Sequence, residues 1–443
     1  MDFSLSSSLV GSAVSNPDKL ALDLQFADDK TLTARKGPTP QFTRGSSGRF
    51  VGSNGLIQSA AINGPRFDHD PVTLACKGLL IEESRTNVAL YSGAIVNNIG
   101  WQGNATTAVS GTGPDGNSSY QISETATTTL QSIANTGSTS GLQGTSVVSG
   151  TTYTGSIFVK KVAGSVDWIQ ITFGGAGFGT VPYANFNIKD GTVGNSAGLA
   201  SGTSPRIENY GNGWYRLSIS VTASATIATN NVILAFIQNT NVTARIPSYL
   251  GSPSNFVLAS LCQFETGTFA TSYIPTTTSS VIRSADVCSI SGSAFTGFWN
   301  QTSGTMLEIF EASPNTNTTY VSASNGNITQ NSIHFDNDIG NMRAVYYSGS
   351  SIVATLSLGS VGTVGAVNKI ASAYSVNDFS ASRNGGTVVV DSSGAVPASL
   401  SQINIGTDER SQTPVSFYSN RCIGSLRYYK KRLSDSKLQA LTV

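Results

Sequence analysis

Charge is scarce in this 443-residue chain: Asp, Glu, Lys and Arg make up only 12% of it, about half the usual quarter. The 26 basic and 25 acidic residues nearly cancel, leaving a net charge of +1. There is no basic surplus to neutralise a phosphate backbone, which argues against nucleic acid as a partner. The blend of Ala, Glu, Lys, Leu and Arg that marks bundles and coiled coils is missing too. The cysteines Cys76, Cys262, Cys288 and Cys422 stand far apart, which excludes a zinc ribbon, a redox pair and a haem-attachment motif. A core of this size needs no staples, so they read as buried or half-buried thiols. No run reaches the roughly 18 apolar residues of a membrane span, so no membrane insertion is expected. The opening stretch MDFSLSSSLVGSAVSNPDKL lacks a basic start followed by an apolar run and does not read as a secretion signal.

What fills the chain instead is glycine, 46 residues of it, with abundant Ser, Thr and Asn. Hydrophobic residues still make up 39%, too many for a charged disordered chain. Their periodicity is that of strands. Ser156 to Lys160, Trp168 to Phe173 and Trp214 to Val221 alternate apolar with polar or small residues, which predicts one face on a core and the other in solvent. Val232 to Ile237 reads as a continuous apolar strand. Turn signals part these runs: Pro114-Asp115-Gly116, Lys189-Asp190-Gly191, Tyr210-Gly211-Asn212-Gly213 and Arg383-Asn384-Gly385-Gly386. Many short strands between such turns predict an all-β fold of sandwiches or barrels. The one expected helix runs from Ser434, as N-cap, to Leu441, with Leu438 and Leu441 facing inward. No repeat of solenoid or propeller length is visible.

Three segments are expected. Residues 1–85 mix short strands with turn-rich linkers and carry little apolar material for a core of their own. Residues 86–275 and 276–443 form two all-β domains, parted at the Thr276-Thr277-Thr278-Ser279-Ser280 run.

Certain strings go further. Pro65-Arg66-Phe67-Asp68-His69-Asp70-Pro71-Val72-Thr73 leads into Lys77-Gly78-Leu79-Leu80-Ile81-Glu82-Glu83-Ser84-Arg85-Thr86-Asn87. Later come Gly211-Asn212-Gly213-Trp214-Tyr215-Arg216, Gln263-Phe264-Glu265-Thr266-Gly267 and Thr271-Ser272-Tyr273-Ile274-Pro275-Thr276. Arg283-Ser284-Ala285-Asp286 opens the last segment. In order and spacing these words resemble a family of tailed-bacteriophage virion proteins, described as head-spike fibre or tail-fibre proteins. The resemblance runs from about residue 40 to the C-terminus. It implies a carbohydrate-binding-module jelly roll in the middle and a concanavalin-like or laminin-G-like lectin sandwich at the end. The closing string Ile423-Gly424-Ser425-Leu426-Arg427-Tyr428-Tyr429, then Arg432-Leu433-Ser434-Asp435 and Leu438, fits the latter. It also implies a protein assembled outside the particle after synthesis in the host cytoplasm. Its N-terminal segment would meet head or tail adaptor proteins, its copies would form a homotrimer that completes the weak N-terminal core, and its outer domains would meet host-surface glycans.

The residues offer little for catalysis. Cleaving a glycan takes two carboxyl groups roughly 5–10 Å apart. The middle domain holds only Asp115, Glu124, Asp167, Asp190, Glu208 and Glu265, with Asp115 and Asp190 in glycine turns. Of the two histidines, His69 sits in Asp68-His69-Asp70, where strand alternation would put it on the opposite face from both carboxylates. No cofactor is expected. Asp336, Asn337 and Asp338, after His334, present three oxygens of the kind a Ca²⁺ loop uses, a pattern that also suits a solvated loop. The Gly174–Gly179 run lacks a following amphipathic helix and reads as a turn, not a dinucleotide loop. Sugar binding would use aromatic faces flanked by amides and carboxylates. Trp168 and Trp214 fall in alternating strands and read as core. Tyr183 and Tyr249 lie in turn-rich segments near Pro and read as exposed, with Trp101 and Trp299 as further glycan-binding candidates. The expectation is therefore a non-enzymatic virion fibre or spike that adheres to glycans. Its rivals are a capsid decoration protein, a glycan-depolymerising tailspike and a secreted adhesin.

Overall fold

Turn chemistry sets the strand lengths. At Gly211, Asn212 and Gly213 the backbone takes φ of 72°, 50° and 79°, a left-handed run that Gly and Asn adopt at little cost. It joins strand Arg206–Asn209 to Trp214–Thr222. The Asp115, Asp190 and Asn384 turns likewise join neighbouring strands, and the Gly174–Gly179 run is a turn as expected. The computed structural model describes residues 18–136, 145–162, 165–315, 317–408 and 417–443. It is an all-β protein of β-sandwiches.

The C-terminal sandwich draws on both ends of the chain. One sheet runs Val389–Asp391, Asp378–Arg383, Val367–Ser375, Gly304–Glu311, Arg421–Tyr429, Cys76–Ile81 and Phe67–His69, with Leu20–Leu24 also pairing with Arg421–Tyr429. The facing sheet runs Gln41–Thr43, Val287–Ser291, Gln402–Ile405, Asn317–Ser324, Ser332–Asp338, Asn341–Ser348 and Ser351–Ser360. Leu22, Leu24, Leu79 and Ile81 share one apolar core with Met306, Val321, Phe335, Ile403 and Leu426. The N-terminal segment thus has no core of its own: Leu20–Leu24, Gln41–Thr43, Phe67–His69 and Cys76–Ile81 are members of the C-terminal sheets, while Gly48–Val51 and Ile57–Ala60 form a separate hairpin. Leu22, Leu24, Leu79 and Ile81 are covered within the chain and need no second copy to complete their core, while Ile62, Val72 and Leu74 stay exposed. Of the N-terminal segment 1–85 expected to meet the particle, residues 1–17 lie outside the described residues.

The expected helix spans Asp435–Thr442 with Ser434 at its N-cap. The Ser434 hydroxyl bonds Ser436 instead of a helix N–H. Leu438 is buried and Leu441 half-buried against Leu20, Leu307 and Ala373 on the outward face of the first sheet. Two short helices, Phe26–Asp29 and Gly292–Phe298, were not evident from the sequence.

The middle sandwich keeps its core to itself. Its six-stranded sheet includes Ser118–Ser123, Phe256–Thr266, Thr152–Lys160 and Trp214–Thr222. Its facing sheet includes Tyr183–Asn187, Trp168–Gly174, Ile227–Phe236 and Ser132–Asn135. Ile157, Leu217, Val257 and Phe264 meet Ile169, Phe173, Phe186 and Leu234 between them. The outer faces, expected in solvent, are largely buried as well. Phe158, Trp214, Leu258 and Leu261 lie on the outer face of the six-stranded sheet, beneath Ile57 from the N-terminal segment and Tyr273 from the connecting segment. A local pattern cannot show that another segment returns to cover a face.

The strings quoted from the sequence meet at the junction of the two sandwiches. Arg44 Nη1 lies 3.1 Å from Asp286, Arg66 Nη1 2.6 Å from Glu82, and Arg283 Nη1 2.9 Å from Glu82. Arg66 also pairs with Asp286. Ser272 donates to Glu82 from its N–H at 2.7 Å and its hydroxyl at 2.6 Å. Burial alone would raise the Glu82 carboxyl, but Arg283, Arg66 and Ser272 outweigh it and hold it well below the usual range. Asn87 adds a second knot, donating to Ile274 O at 2.7 Å and accepting from Phe264 N–H at 2.9 Å. Arg66, Glu82, Asn87, Phe264, Ser272, Ile274, Arg283 and Asp286 all come from the quoted strings. Those strings therefore encode a buried joint. Such networks add little net stability but are costly to break on one side.

Candidate functional site

The four expected sugar-stacking rings are buried. Trp101 is fully enclosed and donates its indole N–H to Tyr91 O at 3.2 Å. Tyr183 donates to Thr243 O at 2.8 Å, and Tyr249 to Glu124. Trp299 stacks on Tyr428 with centroids 4.2 Å apart and on Phe295 at 4.9 Å. These rings are core, because proximity to Pro and turns shows where a loop is, not whether it folds back. Trp214 is core as expected. Trp168 is half-buried on the outward face of its sheet, the one Trp of four with accessible surface.

That outward face is polar yet mostly closed. Gln170, Thr172, Tyr183 and Asn185 share it and are buried. The segment 239–246 lies across them. Gln170 donates to Ala244 O at 3.1 Å and accepts from Ile246 N–H at 2.8 Å. Asn185 donates to Val242 O at 2.7 Å, and Arg245 Nε donates to Thr172 Oγ1 at 2.6 Å. A polar cleft there is already satisfied by the chain itself.

The proposed calcium set comes apart. Alternation along Ser332–Asp338 sends Asn337 to the opposite face, where it is buried and donates to Asn315 O at 3.2 Å. Asp336 and Asp338 are both taken by Arg343, at 2.6 Å each. Burial would raise Asp336, but hydrogen bonds from His334 and Arg343 hold it low. A guanidinium thus occupies the place a cation would fill. Asp68-His69-Asp70 is structural too. His69 Nδ1 lies 3.1 Å from Val51 O, Asp68 accepts from Val51 N–H at 2.7 Å, and Asp70 caps Thr73 N–H at 2.7 Å.

A different surface emerges on the outward face of the second C-terminal sheet. Register aligns Gln41, Ser289, Asn404, Ser322, His334, Val345 and Thr355 in one row across seven strands. Arg343, Asp336 and Tyr347 flank it on the same face. Ser322, Asn404 and His334 are nearly inaccessible although they point away from the core, while Arg343 and Tyr347 are half-exposed. The His334 and Tyr347 rings lie nearly parallel, 20° apart, with centroids at 6.0 Å. Ser332 Oγ lies 3.1 Å from His334 Nδ1. Asn404 Nδ2 is buried and has no hydrogen-bond partner among the described residues, a state that costs about 1–3 kcal/mol unless a ligand or water supplies an acceptor. An aromatic edge beside amide, hydroxyl, guanidinium and carboxylate groups is the chemistry that receives a polyol. The sequence signal was the His334–Asp338 string, read for its oxygens instead of its alternation.

Sequence comparison finds no matching family model and no matching curated protein. Among solved structures, the NanB sialidase of Streptococcus pneumoniae is 15% identical over 35% of this chain and 26% of its own, with a TM-score of 0.30. A SAP-like pentraxin from Limulus polyphemus is 10% identical over 33% of this chain and 73% of its own, TM-score 0.26. Domains LG4-5 of mouse laminin alpha1 are 11% identical over 66% and 88%, TM-score 0.25. The chain spans about a quarter of the length of the sialidase, 26%. At such scores none of these likenesses bears on the chemistry of this chain.

Proposed function

We propose that this chain is a non-enzymatic structural protein of a tailed-phage particle, a fibre or spike that assembles as a homotrimer and adheres to host-surface glycans. Adhesion runs through the polar outward face of the second C-terminal sheet, with Tyr347 and His334 as the stacking edge. The observation that carries adhesion is the row across seven strands, polar at every position but Val345, in which the Asn404 amide is buried with no hydrogen-bond partner among the described residues. The sequence resemblance supplies the particle. Two carboxylates of the middle domain are engaged in structural contacts: Glu124 binds Tyr249, Ser252 and Asn255, and Glu265 binds Thr271 and Gln263.

The test is a glycan array probed with the full chain and with Tyr347→Ala and Trp168→Ala. Binding that falls tenfold or more, about 1.4 kcal/mol, in Tyr347→Ala but not in Trp168→Ala is the expected result. Loss only in Trp168→Ala moves the site to the middle sandwich, and no glycan bound at all removes adhesion in favour of a decoration protein. Release of shortened sugars would make the chain a depolymerase.

A further inference from the structure

A second site lies in the cleft where the middle and C-terminal sandwiches meet. Its volume is about 510 Å³, within the range of roughly 300–1,000 Å³ typical of small-molecule sites. Arg206 and Glu208 reach it from the edge strand Arg206–Asn209, and Arg421 from the first residue of Arg421–Tyr429. Lys77 and Glu311 line it as well, but they are spoken for. The Lys77 ammonium lies 3.2 Å from Asp68 and 3.4 Å from Glu311. Asp70, also at the rim, is engaged in its own turn.

That leaves two guanidinium groups and one carboxylate. Arg421 comes only within 3.8 Å of Glu208, beyond hydrogen-bond reach. Its Nε is buried with no acceptor among the described residues. Arg206 has no side-chain hydrogen bond or ion pair among the described residues. Burial lowers its affinity for a proton and the neighbouring Arg421 charge lowers it further, while Glu208 opposes them in part. The charged side chains of the lining balance, three basic and three acidic, but the two guanidinium groups keep N–H donors there that no acceptor among the described residues takes. An oxyanion is the group that fits such donors, because carboxylate and phosphate both match the planar fork of a guanidinium. Val193, Pro205 and Val364 offer the apolar wall for a body attached to that anion.

We infer that this cleft binds a small organic oxyanion, a carboxylate- or phosphate-bearing sugar-sized molecule, clasped between Arg206 and Arg421. Because one arginine belongs to each sandwich, the ligand braces the joint between them. This site is separate from the polar face that carries Tyr347.

Calorimetric titration of the full chain tests it, with glucuronate, glucose 6-phosphate, inorganic phosphate and glucose as probes. Binding of glucuronate or glucose 6-phosphate, with glucose silent, is expected. Arg206→Gln should weaken that binding tenfold or more with its melting temperature unchanged, and Tyr347→Ala should leave it intact. Inorganic phosphate binding as tightly as glucose 6-phosphate would overturn the sugar-sized body and leave a bare-anion site. Val364→Phe, which fills the cleft without altering charge, should also abolish binding and guards against a charge effect at a distance. No oxyanion bound at about 10 mM, a gain under ~3 kcal/mol, would sink the inference. So would binding that survives both Arg206→Gln and Val364→Phe.

Discussion

Two buried glutamates hold their protons in opposite ways. Glu82 sits between Arg66 and Arg283, which hold its carboxyl well below the usual range against the pull of burial. Its stability contribution is therefore present above the unfolded carboxylate pKa, near 4.5, and is lost as pH falls below it. Glu82→Gln should cost about 3–5 kcal/mol at neutral pH by stranding two arginines, and chemical denaturation should show a flattened acid limb. Glu308 is the reverse. It lies in strand Gly304–Glu311 opposite Ile370 and Leu426, on the core face with Met306 and Phe310. Neither carboxyl oxygen has a hydrogen-bond partner among the described residues, and burial raises its pKa well above the ordinary value. Here stability is full below about 4.5 and is lost as pH rises toward the folded pKa. Glu308→Met should raise the unfolding free energy at pH 7 by about 1–3 kcal/mol and remove that decline. A variant no more stable than the parent would mean that ordered water already satisfies the carboxyl.

At the scale of elements, the polar face of the middle sandwich and the segment 239–246 form one unit. Ile246 holds φ of 43°, a strained value for a β-branched residue, and its N–H is anchored on Gln170. Asn185→Ala removes the donor to Val242 O and to Asn241. Hydrogen exchange should then quicken across 239–246 while strands Trp168–Gly174 and Ile227–Phe236 stay protected; unchanged exchange would mean the segment is held by its other contacts alone. Elements of this kind also mark the limit of what the sequence discloses. The Asn-Gly and Asp-Gly turns and the alternating strands were legible because their causes are local. The burial of Tyr183 and Trp101 was not, because it depends on segments that return from elsewhere in the chain. Nor was the role of Leu20–Leu24, whose partner strand ends at Tyr429. The candidate face was half legible: His334 and Asp336 stood out, but Asn404, Ser322 and Tyr347 join them only through sheet register.

At the scale of the whole molecule, the two cores divide the chain unevenly. The middle core uses residues between Ala89 and Phe264, whereas the C-terminal core needs both Leu22–Ile81 and Cys288–Tyr428. A fragment spanning 86–278 should fold alone with one cooperative transition. A fragment spanning 279–443 should be insoluble until co-expressed with 18–85; a stable 279–443 domain would contradict this account of the sheets. The same interleaving sets direction. Asp18 lies 3.3 Å from Lys437 of the C-terminal helix, and Leu20 packs with that helix on the outward face of the first sheet. The polar row occupies the outward face of the second sheet. The chain therefore begins its described course on one side of the C-terminal sandwich and presents the candidate adhesive face on the other. Anchoring by the residues before Asp18 would turn that face away from the anchor.

Cryo-electron microscopy of phage particles carrying the chain tests this most directly. The account predicts three copies at each attachment point, with the Asp18 and Lys437 side of the C-terminal sandwich toward the particle and the Asn404–His334 face outward. Copies lying flat across capsomer junctions, with that polar face buried against the shell, would contradict it.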